Sequence, residues 1–243
     1  MMKKGLIIVT MVIMLIGVHS IAQAVYFGLE LSDGVNVVTV YDDLAGDINL
    51  DYGVITFSGS VGAWIVNVTT GITYEVLGSQ VDPHILLGSI NVSSSNVSTS
   101  GSVTLKIDAM ALNFTPPGPG ALDLEAGGTT SGTVLINEYY NAGSPIKFNT
   151  GAHLPLEGNV LFGWLGPFGP GAFDAAGRFL PVFDDDAPYY ALTLEGVITH
   201  RAGVSSSSFS AETQGTQVPE PGIMILLGIS MMSLAGLKRY WKD

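Results

Sequence analysis

Val103-Thr104-Leu105-Lys106-Ile107-Asp108-Ala109 alternates apolar and polar residues at every step. In an extended chain successive side chains point to opposite faces. Val103, Leu105, Ile107 and Ala109 therefore make a buried face, and Thr104, Lys106 and Asp108 the face behind it. The same period recurs to either side. Val25, Phe27, Leu29 and Leu31 alternate with Tyr26, Gly28, Glu30 and Ser32. Trp64, Val66 and Val68 alternate with Ile65, Asn67 and Thr69, and Tyr190, Leu192, Leu194 and Ile198 interleave with Ala191, Thr193, Glu195 and Thr199. Turn signals lie between the runs, at Asp33-Gly34, Thr70-Gly71 and Pro116 to Gly120. Outside the termini no stretch sustains a 3.6-residue period. Short strands separated by turns predict an all-β fold, an antiparallel β-sandwich or jelly roll.

Composition points the same way. Charged residues are 12% of the chain, against ~25% in typical soluble domains, and 31 of 243 residues are Gly, against an average near ~7%. Between Val25 and Gly222 the cations are Lys106, Lys147, Arg178 and Arg201, against 20 carboxylates, a net of −16. That sign excludes nucleic acid as a partner, because phosphate binding needs the opposite one. It favours water, divalent cations or neutral polymers. There is no cysteine, which removes disulfides, thiolate metal ligands and cysteine nucleophiles together.

The two ends carry different signals. Lys3 and Lys4 precede the apolar run Leu6 to Val18, and Ala22-Gln23-Ala24 offers small residues at the two positions signal peptidase inspects. This is the pattern of a secretory signal peptide over residues 1–24, with Val25 the first mature residue. At the other end, Pro219, Glu220 and Pro221 stand just before the uncharged run Ile223 to Leu237, which Lys238, Arg239 and Lys242 close with Tyr240 and Trp241 among them. An apolar segment with a basic end reads as a membrane helix over 223–237 whose cations stay in the cytoplasm, so the bulk of the chain lies on the far side.

That tail resembles the PEP-CTERM sorting signal of bacteria that make exopolysaccharide, which the membrane protease-transpeptidase exosortase reads. The match covers about a tenth of the chain, residues 218–243. The resemblance implies signal peptidase and an exosortase-type membrane protease as processing partners, and a membrane-anchored precursor that becomes a cell-surface or extracellular protein. The apolar run has 15 residues. At ~1.5 Å per residue it spans roughly 22 Å of a ~30 Å hydrocarbon core. Snorkelling Lys and Arg relieve part of the mismatch, and a marginal anchor suits temporary retention. Leu29 to Gly71 and Pro188 to His200 are also similar to segments of small exported PEP-CTERM proteins of undefined role.

Between the ends, residues 25–204 are expected to form one domain, large enough for a core. Residues 205–217, with five Ser and two Thr, read as a flexible tether before the sorting segment. Gly163 to Gly171, GWLGPFGPG, reads as a surface loop packed by Trp164 and Phe168.

Chemistry is sparse. Asp42, Asp43, Asp47, Asn49 and Asp51 are the one cluster with ligand-like spacing, since Asp47-Ile48-Asn49-Leu50-Asp51 places oxygens at alternate positions. It departs from an EF-hand at Tyr52, where Gly is needed, and at Ser58, where a bidentate Glu is needed. Two readings stand: a looser calcium site, or a solvated Asp/Asn turn between strands. Asp184, Asp185 and Asp186 form a second acidic run. His84, His153 and His200 have no partners at zinc-site spacing, and no G-x-S-x-G elbow occurs. Glu75, Glu125, Glu138, Glu157 and Glu195 could supply a glycosidase pair only if the fold brought two together. N-x-[ST] sequons begin at Asn67, Asn91, Asn96 and Asn113. Trp64 and Trp164 could each stack on a sugar ring, although a lone Trp in an alternating strand is usually core.

The expectation is an exported, acidic, non-enzymatic surface or matrix protein associated with polysaccharide. The alternatives are a carbohydrate-binding module with or without calcium, a secreted hydrolase and an ice-binding protein. Of the last, regular Thr-x-Thr ranks are absent.

Overall fold

The computed structural model describes residues 26–73, 77–79, 81–115, 120–143, 160–180 and 186–216. Over these the chain is all-β, in ten strands. They are β1 (Phe27–Ser32), β2 (Val37–Tyr41), β3 (Val54–Val61), β4 (Trp64–Ile72), β5 (His84–Phe114), β6 (Ala121–Thr130), β7 (Thr133–Ala142), β8 (Val160–Phe168), β9 (Gly171–Phe179) and β10 (Tyr190–Thr216).

Two of these strands are long enough to serve two sheets. The C-terminal half of β5 and the N-terminal half of β10 lie side by side in a first sheet of order β2-β1-β5-β10-β7-β8. Their other halves lie side by side in a second sheet of order β3-β4-β5-β10-β6-β9. All pairings are antiparallel, so the result is a sandwich of two six-stranded sheets sharing their two central strands. β10 changes sheet between Arg201 and Ser205, where its register against β5 shifts on both sides of Gly203. Gly203 has φ 111°, a left-handed conformation that a residue without Cβ adopts at little cost.

Val103 to Ala109 behaves as its alternation dictates. Leu105, Ile107 and Ala109 are fully buried and join Leu29, Leu31, Leu194 and Ile136 on the inner face of the first sheet. Facing them from the second sheet are Val66, Val68, Ile85, Leu87, Leu124 and Phe209. Trp64 is 1% exposed and packs tilted on His200, with ring centroids 4.6 Å apart.

The fold overturns three expectations. Ser205 to Thr216 is no tether: it is the second half of β10, paired with β5 on one side and β6 on the other. Its inward positions are Ser207, Phe209, Ala211, Thr213 and Gly215, and all are buried. The period of two was present but carried by small residues, and Phe209 alone supplies bulk. The domain therefore ends beyond Val204. Thr216 fixes its end by donating a hydrogen bond to Asp123 Oδ2 (2.7 Å), beside the Arg178–Asp123 ion pair.

Gly163 to Gly171 is likewise no loop, because β8 runs to Phe168 and β9 starts at Gly171. Gly163 points into the sandwich, where a Cβ would stand 2.8 Å from the Phe179 ring. Glycine there permits close approach of the sheets where a loop was expected. The turn signal survives only in Gly169-Pro170 between the strands. Residues 1–24, the Pro219-Glu220-Pro221 motif, the 223–237 segment and Lys238, Arg239 and Lys242 lie outside the described residues. Among those described, no helix is long and apolar enough to cross a membrane.

Candidate functional site

The acidic loop, between β2 and β3, closes on itself. Asp47 Oδ1 accepts the backbone N–H groups of Asn49 and Thr56, both at 2.9 Å, and Asn49 Oδ1 accepts that of Asp51 at 2.8 Å. Asp42 Oδ2 accepts the N–H of Gly53 at 2.8 Å. These are side-chain-to-backbone bonds of the kind that shape Asx turns. Asp42 Oδ1 and Asp47 Oδ2 are buried without a hydrogen-bond partner. Burial, with Asp43 and Asp47 nearby, pushes the Asp42 carboxyl up to about 6. Calcium takes six to eight oxygens, and these two are the buried, unpartnered ones in the loop. Among the described residues no three His, Cys, Asp or Glu side chains gather to hold a metal ion. Of the second acidic run, Asp184 and Asp185 lie outside the described residues, and Asp186 is exposed.

Three further groups of polar residues stand out. The first is a row across the first sheet on the side away from the core. Strand register aligns Thr39, Glu30, Asp108, Glu195, Asn137 and Trp164 in that order. Glu195 is held by Lys106 Nζ (3.0 Å), Asn137 Nδ2 (2.7 Å) and the Tyr139 hydroxyl (3.1 Å). Burial first, then the neighbouring Glu195, raises the Asp108 carboxyl well above the usual carboxylate range, beside the Lys106–Glu195 pair. Sequence reading left this row unnoticed, because its members come from six strands. Trp164, at its end, is 56% exposed, with its ring centroid 6.5 Å from that of Phe179.

The second place is the core itself. His200 bonds Ser94 through Nδ1 and Ser207 through Nε2, both at 2.8 Å, and Ser207 meets Thr130 at 2.7 Å. Burial lowers the His200 pKa, which favours the neutral ring. Glu138 also points inward, against Thr213 of the opposite sheet. Of the five candidate glutamates, the three described lie apart: Glu138 inside the sandwich, Glu195 behind the first sheet, and Glu125 exposed on the second. Glu75, Glu157 and His153 lie outside the described residues. His84 Nε2 stands 3.7 Å from Glu212 Oε2.

The third place is open to solvent. On the outer face of the second sheet, Ser58, Asn67, Asn91, Ser208 and Thr129 form one lateral row, and Ser60, Ile65, Ser93 and Ser206 form the next. Neighbours in such a row stand ~4.8 Å apart. The Asn91 amide is fixed at both ends, accepting from Ser208 Oγ at 2.7 Å and donating to Ser89 O at 3.1 Å. A shallow groove of 360 Å³ runs over this surface, and none of its described lining residues is charged. Of the sequon asparagines, Asn67 and Asn91 are exposed here and Asn113 is 1% exposed.

No family model matches the chain, and no curated protein matches it. Solved structures show a distant likeness to the chain. One is TmCBM61 in complex with beta-1,4-galactotriose, at 11% identity and TM-score 0.28, covering 61% of this chain and 86% of that one. Another is the adhesin domain of Epf from Streptococcus pyogenes, at 13% identity and TM-score 0.32, covering 77% of this chain and 57% of that one. A third is the K2 cleaved adhesin domain of Lys-gingipain, at 10% identity and TM-score 0.30, covering 79% and 98%. Likeness at this level assigns no ligand.

Proposed function

We propose that this protein is an exported, non-enzymatic component of the cell surface or extracellular matrix that associates with polysaccharide through the outer face of its second sheet. The observation behind the reading is an uncharged hydroxyl-and-amide surface on a strongly acidic chain. Between Val25 and Gly222 carboxylates outnumber cations five to one, yet among the described residues none lines the groove over Asn67, Asn91, Ser93, Thr129, Ser206 and Ser208. Amides and hydroxyls both donate and accept, which matches the hydroxyls of a neutral glycan, and Ile65, 61% exposed, offers an apolar spot for a ring face. The export and sorting part of the reading rests on the Ala22-Gln23-Ala24 site and the Pro219-Glu220-Pro221 tail.

The test is pull-down of the full-length chain on insoluble neutral polysaccharides, beside Asn67→Asp and Asn91→Asp, which put charge on the face without changing its shape. The wild type should be retained and both variants released. Equal retention of all three, or none of any, would sink the assignment of this face.

A further inference from the structure

Arg201 is the one described Lys or Arg side chain without a carboxylate partner. Lys106 is taken by Glu195 at 3.0 Å, and Arg178 by Asp123 at 2.6 and 2.7 Å. Arg201 is exposed, directly opposite Ser102 on β5. In a chain with so few cations, an unpaired guanidinium is the position where charge has been left available.

Its surroundings form a pocket. Arg201 lines a 320 Å³ hollow with Ser102, Ser131, Thr133, Thr199 and Pro170. Cross-strand register puts Thr104, Thr199 and Thr133 side by side, and the Thr104 and Thr199 hydroxyls are 3.1 Å apart. Among the described residues, no Asp or Glu lines the hollow. Glu195, six residues back along β10, is ~20 Å away at ~3.3 Å per residue, beyond the ~8 Å screening length of physiological salt. The volume is at the low end of the ~300–1,000 Å³ usual for ligand sites, room for one ring and not for a chain.

The hollow also adjoins the uncharged face. Ser131 Oγ donates to Ser206 O at 2.9 Å, and Ser206 N–H donates back to Ser131 Oγ at 2.8 Å. Ser206 lines the groove on the second sheet, and Ser131 lines the Arg201 hollow. A saccharide lying over the first can reach into the second.

We propose that Arg201 and the hydroxyls around it form a subsite for the carboxylate of a single uronic-acid unit within an otherwise neutral saccharide. This rests on the polysaccharide reading above and adds a ligand class to it. A planar guanidinium matches a carboxylate in a two-point, charge-assisted contact. The hydroxyls of Ser102 and Thr133 suit the ring hydroxyls beside it, and Pro170 offers an apolar wall. The chain's net charge of −16 between Val25 and Gly222 repels a polymer carrying an acid on every sugar. An isolated uronate brings a single negative charge to set against Arg201.

Full-length protein in detergent micelles is titrated with methyl glucuronide, methyl glucoside and inorganic sulfate, following the Arg201 Nε–H signal by NMR and the heat by calorimetry. Methyl glucuronide should move the Arg201 signal and bind at least tenfold more tightly than methyl glucoside or sulfate. Arg201→Gln should weaken it about tenfold, the scale of one lost charge-assisted contact, while leaving the melt unchanged. Arg201→Lys should fall between. Equal binding by Arg201→Gln, equal affinity for methyl glucoside, or sulfate binding as tightly as the glucuronide would each overturn the subsite. A neutral polysaccharide retained equally by wild type and Arg201→Gln while the glucuronide fails to bind removes this inference alone. Glucuronide binding that needs Arg201, with no neutral polysaccharide retained, removes the second-sheet face and leaves the subsite standing.

Discussion

Glu138 and Thr213 meet inside the sandwich from opposite sheets. The Thr213 hydroxyl donates to Glu138 Oε1, while Oε2 is buried without a partner. Burial pushes the Glu138 carboxyl up to about 7 from an ordinary value of 4.5. The folded state therefore holds its proton more tightly than the unfolded chain does, and stability is lost as pH rises from about 4.5 through about 7.

Glu138→Gln keeps an acceptor for Thr213 and cannot ionise. Its gain over wild type should be near zero at pH 4.5 and grow to on the order of 3 kcal/mol above pH 7, since each tenfold difference in proton affinity between the folded and unfolded chain is worth ~1.4 kcal/mol. Urea melts of both proteins across that range check this. A gain that does not vary with pH would mean that Glu138 is not neutral inside the fold.

His200 gives the opposite slope. Its pKa is lowered by burial, so the unfolded chain binds the proton more readily and stability falls as pH drops below about 6.5. In the Glu138→Gln background, His200→Gln should remove this acid-side loss, read as the difference in stability between the two proteins at each pH. A wild-type-like slope in the double variant would place the titrating group elsewhere.

Trp64→Ala should destabilise by about 3 to 5 kcal/mol, the usual cost of deleting a large core ring, because Trp64 is 1% exposed and packs on His200. Trp164→Ala, at a 56% exposed position, should change the melt by less than about 1 kcal/mol. Reversal of that order would contradict the inward and outward assignment of the two rings.

A chain stopped after Val204 loses the half of β10 that pairs with both β5 and β6. It should fail to give a cooperative melt. A chain stopped after Thr216 should melt cooperatively with a strand-dominated circular dichroism spectrum. Cooperative folding of the shorter chain would restore Ser205 to Gln217 as a tether.

Processing provides a further prediction, carried by the two termini. Surface or secreted material should begin at Val25 and lack Ile223 to Asp243, as measured by intact mass. Mature protein that keeps that segment would reduce the tail to an ordinary anchor.

Strand alternation at Phe27 to Leu31, Trp64 to Val68 and Val103 to Ala109 was legible because large apolar residues recur at every second position, and that pattern is local. Ser205 to Thr216 obeys the same alternation, yet Ser207, Ala211, Thr213 and Gly215 carry little hydrophobic signal. They are buried because partners across the sandwich supply the bulk. Gly163 misled for a related reason, since its absent side chain makes room for Phe179, a residue 16 positions away in sequence. The acidic loop was visible as a cluster, but whether its oxygens face an ion or their own backbone depends on the turn geometry. Composition, net charge and the signals at both ends belong to the sequence alone. The Glu30-Asp108-Glu195 row, the uncharged face and the pocket around unpaired Arg201 belong to the tertiary structure. Each takes residues from strands far apart in the chain, and only the register between those strands sets which side chains stand together.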